Sequence, residues 1–199
     1  MIIYYLTPLK YPSTYANRAQ VMKMTEAFAR NGADVTLFVS RLEGEKEEVL
    51  REYGIQTDIS IVVVPEGRRG LRALGLALGF LKIIKKAPEG TVFYIRDVKL
   101  CSWLLLLSSR FRKNYFFETH SLHRFSPYMY RICFKKARGI ITTNKYKKDI
   151  LILWGFGEDQ VLVEPNAIDE RRFLKLTTRE EARRKLGISG NKKMALYLG

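Results

Sequence analysis

The sequence Tyr115-Phe116-Phe117-Glu118-Thr119-His120-Ser121-Leu122-His123 reads as a buried strand reaching its carboxyl end. Aromatic residues run through Phe117 behind Arg110, Arg112 and Lys113, and polar side chains take over at Glu118. In an open parallel sheet the carboxyl ends of the strands face the ligand crevice, which predicts Glu118, Thr119 and His120 at its lip. A period of two puts Glu118 and His120 on one side. A carboxylate beside an imidazole fixes the ring's tautomer and favours its charged form, giving a hydrogen-bond donor or proton carrier. The plainer alternative has His120 only capping the strand or meeting a buried carbonyl.

Working outward, Ile2–Leu6 is an apolar run halted by Thr7-Pro8, a polar loop spans Leu9–Asn17, and Arg18–Asn31 carries a helical stripe stopped at Asn31-Gly32. With a strand at Val35–Val39 these pieces make one right-handed βαβ unit. Its loop lacks the Gly-x-Gly-x-x-Gly spacing of a tight dinucleotide site. Ser13, Asn17 and Arg18 there can hold a sugar or a phosphate, or can simply be solvated. A helix at Glu43–Tyr53 and a strand at Ile59–Val64 follow. Arg68–Lys86, apolar on most sides with basic ends, reads either as a buried crossover helix or as a segment lying on an anionic bilayer. Thr91–Ile95 is a strand delivering Arg96-Asp97 to the same edge, as a ligand for an anion or as an ion pair at a helix start. Helices at Leu100–Leu107, Pro127–Lys136 and Lys145–Trp154, the last capped by Asn144, alternate with strands at Gly139–Thr143 and Val161–Val163.

This alternation predicts a doubly wound, mostly parallel, Rossmann-like α/β domain over residues 1–170. Residues 171–190 read as a linker with a charged helix at Thr177–Leu186, capped by Thr178 and stopped by Gly187. Residues 191–199 read as the first strand, Met194–Leu198, of a second domain.

Thirty-five Lys and Arg against 20 Asp and Glu leave a net charge of +15, which favours an anionic partner unless the surface is merely basic. Between Arg110 and Lys148 the only acid is Glu118. Tyr4, Phe38, Phe93 and Phe116 fall inside strands and not on a stacking platform, which argues against nucleic acid. Cys101 and Cys133 match neither a metal knuckle nor a redox motif and read as buried thiols of a reducing compartment. With no basic region before Ile2 and no apolar run of membrane-spanning length, the expected location is cytoplasmic, extending to a peripheral place on the membrane's inner face.

Several segments, in order, resemble the amino-terminal half of a family 4 glycosyltransferase of GT-B architecture. They are Asn17-Arg18-Ala19-Gln20 running into Ala27–Leu37, Phe117-Glu118-Thr119-His120, Ala137–Asn144, Pro165-Asn166-Ala167-Ile168-Asp169 through Phe173, Arg183–Ile188 and Leu196–Gly199. Ala167 stands in place of the family's turn glycine, Ser121 in place of a common aspartate, and the first loop has no glycine pair. The resemblance implies transfer of a sugar from a nucleotide donor with retention and without a metal or other cofactor. It makes His120, with Glu118, the catalytic pair that stabilises the transition state. Ser13, Asn17 and Arg18 become acceptor contacts, with Arg96 and Asn166 around the cleft. The acceptor, in many relatives lipid-linked, belongs to this half. The nucleotide sugar belongs to the second domain, without which the fragment should be inactive. Two rivals are a non-enzymatic basic module for membrane or nucleic acid, and a metal hydrolase built on Glu118, His120 and His123.

Overall fold

A computed structural model describes residues 1–67, 71–122, 127–173, 177–188 and 193–195. The chain divides into two compact units, Met1–Asn166 and Ala167–Gly199. In the first, β1 (Ile2–Leu6), β2 (Lys10–Tyr11), α1 (Ala16–Arg30), β3 (Asp34–Val39), β4 (Arg41–Leu42), α2 (Lys46–Glu52) and β5 (Ser60–Val63) are followed by α3 (Arg72–Lys86). Then come β6 (Val92–Ile95), α4 (Val98–Leu107), α5 (Ser109–Lys113), β7 (Tyr115–Thr119), α6 (Pro127–Phe134), β8 (Gly139–Thr142), α7 (Lys145–Leu153) and β9 (Val161–Val163). Seven strands form a parallel sheet in the order β5-β3-β1-β6-β7-β8-β9, the doubly wound topology expected from the alternation. The order of connection reverses between β1 and β6, so the crevice of this sheet lies at their carboxyl ends.

Strand alternation separates two cores. Ile3, Tyr5, Val35, Leu37, Val39 and Tyr94 face one side and meet Val21 and Met22 of α1 and Val49 and Leu50 of α2. Leu6, Phe38, Phe93, Ile95, Phe117 and Ile140 face the other side and meet α3, α4, α6 and Leu151 of α7. Right-handed crossovers require this split, because connections running in opposite directions along the sheet place their helices on opposite faces. The segment read either as a crossover helix or as a membrane-lying one is the crossover helix: α3 buries Leu76, Ala77, Phe80 and Ile84 in the core.

Gly75 and Gly79, one turn apart on α3, explain how closely that helix lies. A Cβ on Gly75 would come within 2.3 Å of the Gly67 Cα, and one on Gly79 within 2.7 Å of Val64 Cγ1. Alanine in an exposed helix position stabilises relative to glycine by about 1 kcal/mol. At Gly75 the backbone contact outweighs that gain. Gly75→Ala is expected to lower the urea midpoint by an amount equivalent to about 1–3 kcal/mol, and a raised midpoint would show that the contact yields at no cost.

The loop read as Leu9–Asn17 is more structured than the sequence indicated. Lys10–Tyr11 pairs in parallel with Arg41–Leu42, the Tyr11-Pro12 bond is cis, and the helix already begins at Ala16. A two-residue ladder leaves no periodic trace in sequence. Asn144 caps α7 by accepting from Lys147 N, as expected. The second unit holds a 3-10 turn, Glu170–Phe173, and α8 (Arg179–Lys185). Thr178 Oγ1 accepts from Glu181 N while the Glu181 carboxylate accepts from Thr178 N, a reciprocal cap. Of the strand expected at Met194–Leu198, Met194 and Ala195 are irregular and the rest lies outside the described residues.

Candidate active site

Glu118 and His120 lie on the α1 side of β7, as their two-residue spacing requires. The imidazole Nε2 is hydrogen-bonded to Glu118 Oε1. Glu118 itself does not stand at the lip. The β7 ladder with β8 continues through Glu118 and Thr119, paired with Ile141 and Thr142, and both residues are buried. His120, with its side chain 22% exposed, is the residue that reaches the surface.

A buried carboxylate needs partners, and Glu118 has them. Tyr5 Oη donates to Oε2 at 3.1 Å, Tyr94 donates from β6, and Gln20 Nε2 lies 3.4 Å from Oε1. Burial pushes the Glu118 carboxyl up, but the His120 hydrogen bond, the Arg96 and His120 charges and the Tyr94 hydroxyl outweigh it and hold the group below its ordinary value. Burial beside this carboxylate raises the Tyr5 and Tyr94 hydroxyls, so both remain protonated donors.

Gln20, on the second turn of α1, ties the site together. Its amide nitrogen donates to Asn166 Oδ1 at 2.9 Å and lies 3.1 Å from His120 Nε2, while its Oε1 accepts from Arg96 Nη1 at 3.3 Å. With one amide hydrogen on Asn166, the other on Glu118, and His120 Nε2–H on Glu118, every donor has an acceptor. In that arrangement Nδ1 is the ring nitrogen left over, and it has no partner among the described residues.

The structure therefore brings four of the expected residues, Arg96, Glu118, His120 and Asn166, into one network, and adds Gln20, which the sequence reading quoted in a motif without assigning it a role. Arg96 bonds Gln20, and the Asp97 carboxylate instead caps α4 by accepting from Leu100 N at 2.7 Å. Ser13, Asn17 and Arg18 form a neighbouring group and not part of the network. Ser13 exchanges backbone hydrogen bonds with Tyr53 Oη, and Asn17 Oδ1 accepts from Arg18 Nη1 at 2.8 Å. The Arg18 guanidinium lies 4.9 Å over the Tyr15 ring, with a buried Nε that has no partner among the described residues. His123 lies outside the described residues. Among those that are described, no group of three or more His, Cys, Asp or Glu side chains has the geometry of a metal site.

The parallel, Rossmann-like domain, with its histidine and carboxylate at the carboxyl edge, has the fold of one half of a GT-B glycosyltransferase. The chain belongs to Glycosyltransferase Family 4, whose sequence model matches residues 19–172. No curated protein matches it. Among solved structures it resembles Anabaena Alr3699/HepE in complex with UDP, at 18% identity and a TM-score of 0.59 over 94% of this chain and 50% of that one. A glycosyltransferase from Rickettsia africae gives 15% identity and a TM-score of 0.61 over 96% and 50%. WaaG, a glycosyltransferase involved in lipopolysaccharide biosynthesis, gives 16% and 0.57 over 96% and 53%. The chain thus spans about half the length of the solved structures it matches.

Proposed function

We propose that this chain is the acceptor-side half of a retaining glycosyltransferase that moves a sugar from a nucleotide-sugar donor to an acceptor without a metal or other cofactor. The observation that carries the reading is the Gln20-centred network, which holds a histidine at the carboxyl edge of the sheet with one ring nitrogen engaged and the other available. With both ring nitrogens protonated, His120 would donate through Nδ1 to the transferred sugar as charge develops, and Glu118, accepting from Nε2, would fix the ring that does so. The bond from the anomeric carbon to the nucleotide phosphate breaks, the bond to the acceptor hydroxyl oxygen forms, and the hydroxyl proton leaves on the phosphate. Arg96 and Asn166 would border the reacting groups, while Ser13, Asn17 and Arg18 contact the acceptor.

Residues 1–170 are the acceptor domain, 171–190 the connection and 191–199 the opening of the nucleotide-binding domain in this reading. Without that second domain the fragment has little or no activity. Uridine nucleotides are the first donors to test, since the HepE structure holds UDP. The acceptor is lipid-linked and the enzyme works from the cytoplasmic face of a membrane. This placement agrees with the net charge of +15, and among the described residues no helix is long and apolar enough to cross a bilayer.

The test is sugar transfer by the longest natural form of the protein, with the product's anomeric configuration read by NMR. Retention without added metal is expected. Inversion, or activity abolished by chelation, would overturn the mechanism. Gln20→Ala frees Arg96 and Asn166 and is expected to lower kcat about 10-fold or more, with thermal stability nearly unchanged. Unaltered turnover would remove Gln20 from the site.

A further inference from the structure

Cys101 on α4 and Cys133 on α6 lie far apart in sequence, and the packing of those two helices brings them together. Both are free and buried, as their apolar surroundings predicted. Cys133 Sγ lies 3.4 Å from Val98 O and 3.4 Å from Ser102 Oγ, atoms of the α4 turn that holds Cys101. The two thiols are hydrogen-bonded to each other. They differ in acidity. Burial pushes the Cys101 thiol well above its ordinary value, whereas the hydrogen bond from Cys101, with that from Ser102, outweighs burial and holds Cys133 below its own. Cys133 is therefore the thiol that ionises first, and Cys101 is the neighbour placed to resolve its oxidised form.

Helix α6 connects this pair to His120. Tyr130, one turn before Cys133, donates from Oη to Ser121 O at 2.6 Å, and Ser121 follows His120 directly. Thr119 Oγ1 donates to the same carbonyl at 3.2 Å. Tyr115 Oη donates to Cys133 O at 2.6 Å, so the turn of α6 that carries Cys133 is tied to β7. Tyr130 is buried against Phe134 and Trp154, and its ring moves with its helix. Replacing the thiol contact by a covalent bond draws α6 toward α4, and a close-packed interior passes that displacement on to its neighbours. The first of them on this side are Tyr130, the Ser121 carbonyl and the backbone of His120.

We infer that Cys101 and Cys133 are a redox switch: a peroxide joins them in a reversible disulfide that displaces α6 and, through Tyr130 and Ser121, His120. The Cys133 thiolate attacks one peroxide oxygen, the O–O bond breaks, and the departing hydroxide takes up the thiol's proton to leave as water. The Cys101 sulfur then attacks the sulfenic acid, the S–S bond forms, the S–O bond breaks, and a second water leaves with the Cys101 proton. Two thiols are oxidised by two electrons while the peroxide is reduced to two waters. Such transient disulfides are the kind found in reducing compartments. The effect on turnover rests on the sugar-transfer reading, whereas the bond and the movement of His120 do not.

The test treats the reduced chain with hydrogen peroxide and then with dithiothreitol. Peptide mapping is expected to find Cys101 linked to Cys133 with the loss of two hydrogens, and to find both thiols restored by the dithiol. In a His123→Asn background the remaining imidazole, His120, should shift its NMR resonances on oxidation and return on reduction. Cys101→Ala, apolar in an apolar site, should leave those resonances unmoved by peroxide, which separates the bond from oxidation of methionines. Tyr130→Phe should still form the disulfide but show a smaller His120 shift. In the longest natural form of the protein, oxidation should lower kcat about tenfold, with recovery in dithiothreitol and no loss in Cys101→Ala. Mapping and the His120 resonances of the unsubstituted pair decide the inference even where a cysteine variant melts early or no sugar transfer is found. It is overturned if both cysteines stay thiols or oxidise separately, if the bond forms and His120 does not move, or if the joined enzyme turns over like the reduced one.

Discussion

Replacing His120 by alanine in the longest natural form of the protein is expected to lower kcat by about 10²–10³, with the KM for the nucleotide sugar nearly unchanged. The magnitude is that of one preorganised hydrogen-bond donor lost from a site where charge develops only in the transition state. The donor is the nitrogen that Glu118 does not occupy, so ground-state binding has little to lose. The side chain is 22% exposed and fills no core space, so the melting temperature should stay near that of the parent. A His120→Ala enzyme within a few-fold of wild type would sink the assignment, because the network around Gln20 would then be holding an idle ring. Glutamine at this position keeps an amide donor and should recover part of the lost rate.

The largest effect on stability is expected at Glu118. Alanine there leaves the Tyr5 and Tyr94 hydroxyls without their acceptor, and deprives His120 and Gln20 of theirs. Removing one member of a buried charged network costs about 3–5 kcal/mol, which for a domain of this size lowers Tm by roughly 6–20 °C. Glu118→Gln keeps the shape and one acceptor oxygen and should cost less.

The two variants also separate charge from shape through pH. The folded state holds the Glu118 carboxyl below its ordinary value of 4.5. As pH falls through that value, the unfolded chain takes up the proton first, which favours unfolding. The contribution of Glu118 is therefore complete above the ordinary carboxylate value and disappears as pH drops through the lower folded one. Urea midpoints of the parent should decline over that interval more steeply than those of Glu118→Gln. Parallel curves would mean that the carboxylate contributes no net stabilisation as an anion.

Much of this architecture was legible in the residues themselves. Apolar runs ended by Pro8 and Pro65, helices closed at Asn31-Gly32 and Gly187, and caps at Asn144 and Thr178 all act within a few residues, and the structure keeps each of them. The pairing of Glu118 with His120 was legible for the same reason, since alternate strand residues share a face wherever the strand is placed.

What the tertiary structure alone decided were the encounters between distant positions. Gln20 and Asn166 are separated by 146 residues, and Gln20 and Arg96 by 76. No local period encodes that a glutamine on the first helix should meet the tips of strands connected much later. The depth of Glu118 was set by how far the β7 ladder runs beside β8, and the partner of Arg96 by the nearness of Gln20 while Asp97 is held by the α4 amide. Sequence fixes which side chains share a surface because strand and helix geometry repeat over a few residues. Which surfaces meet depends on the order of the strands in the sheet, a global solution to burying two cores at once.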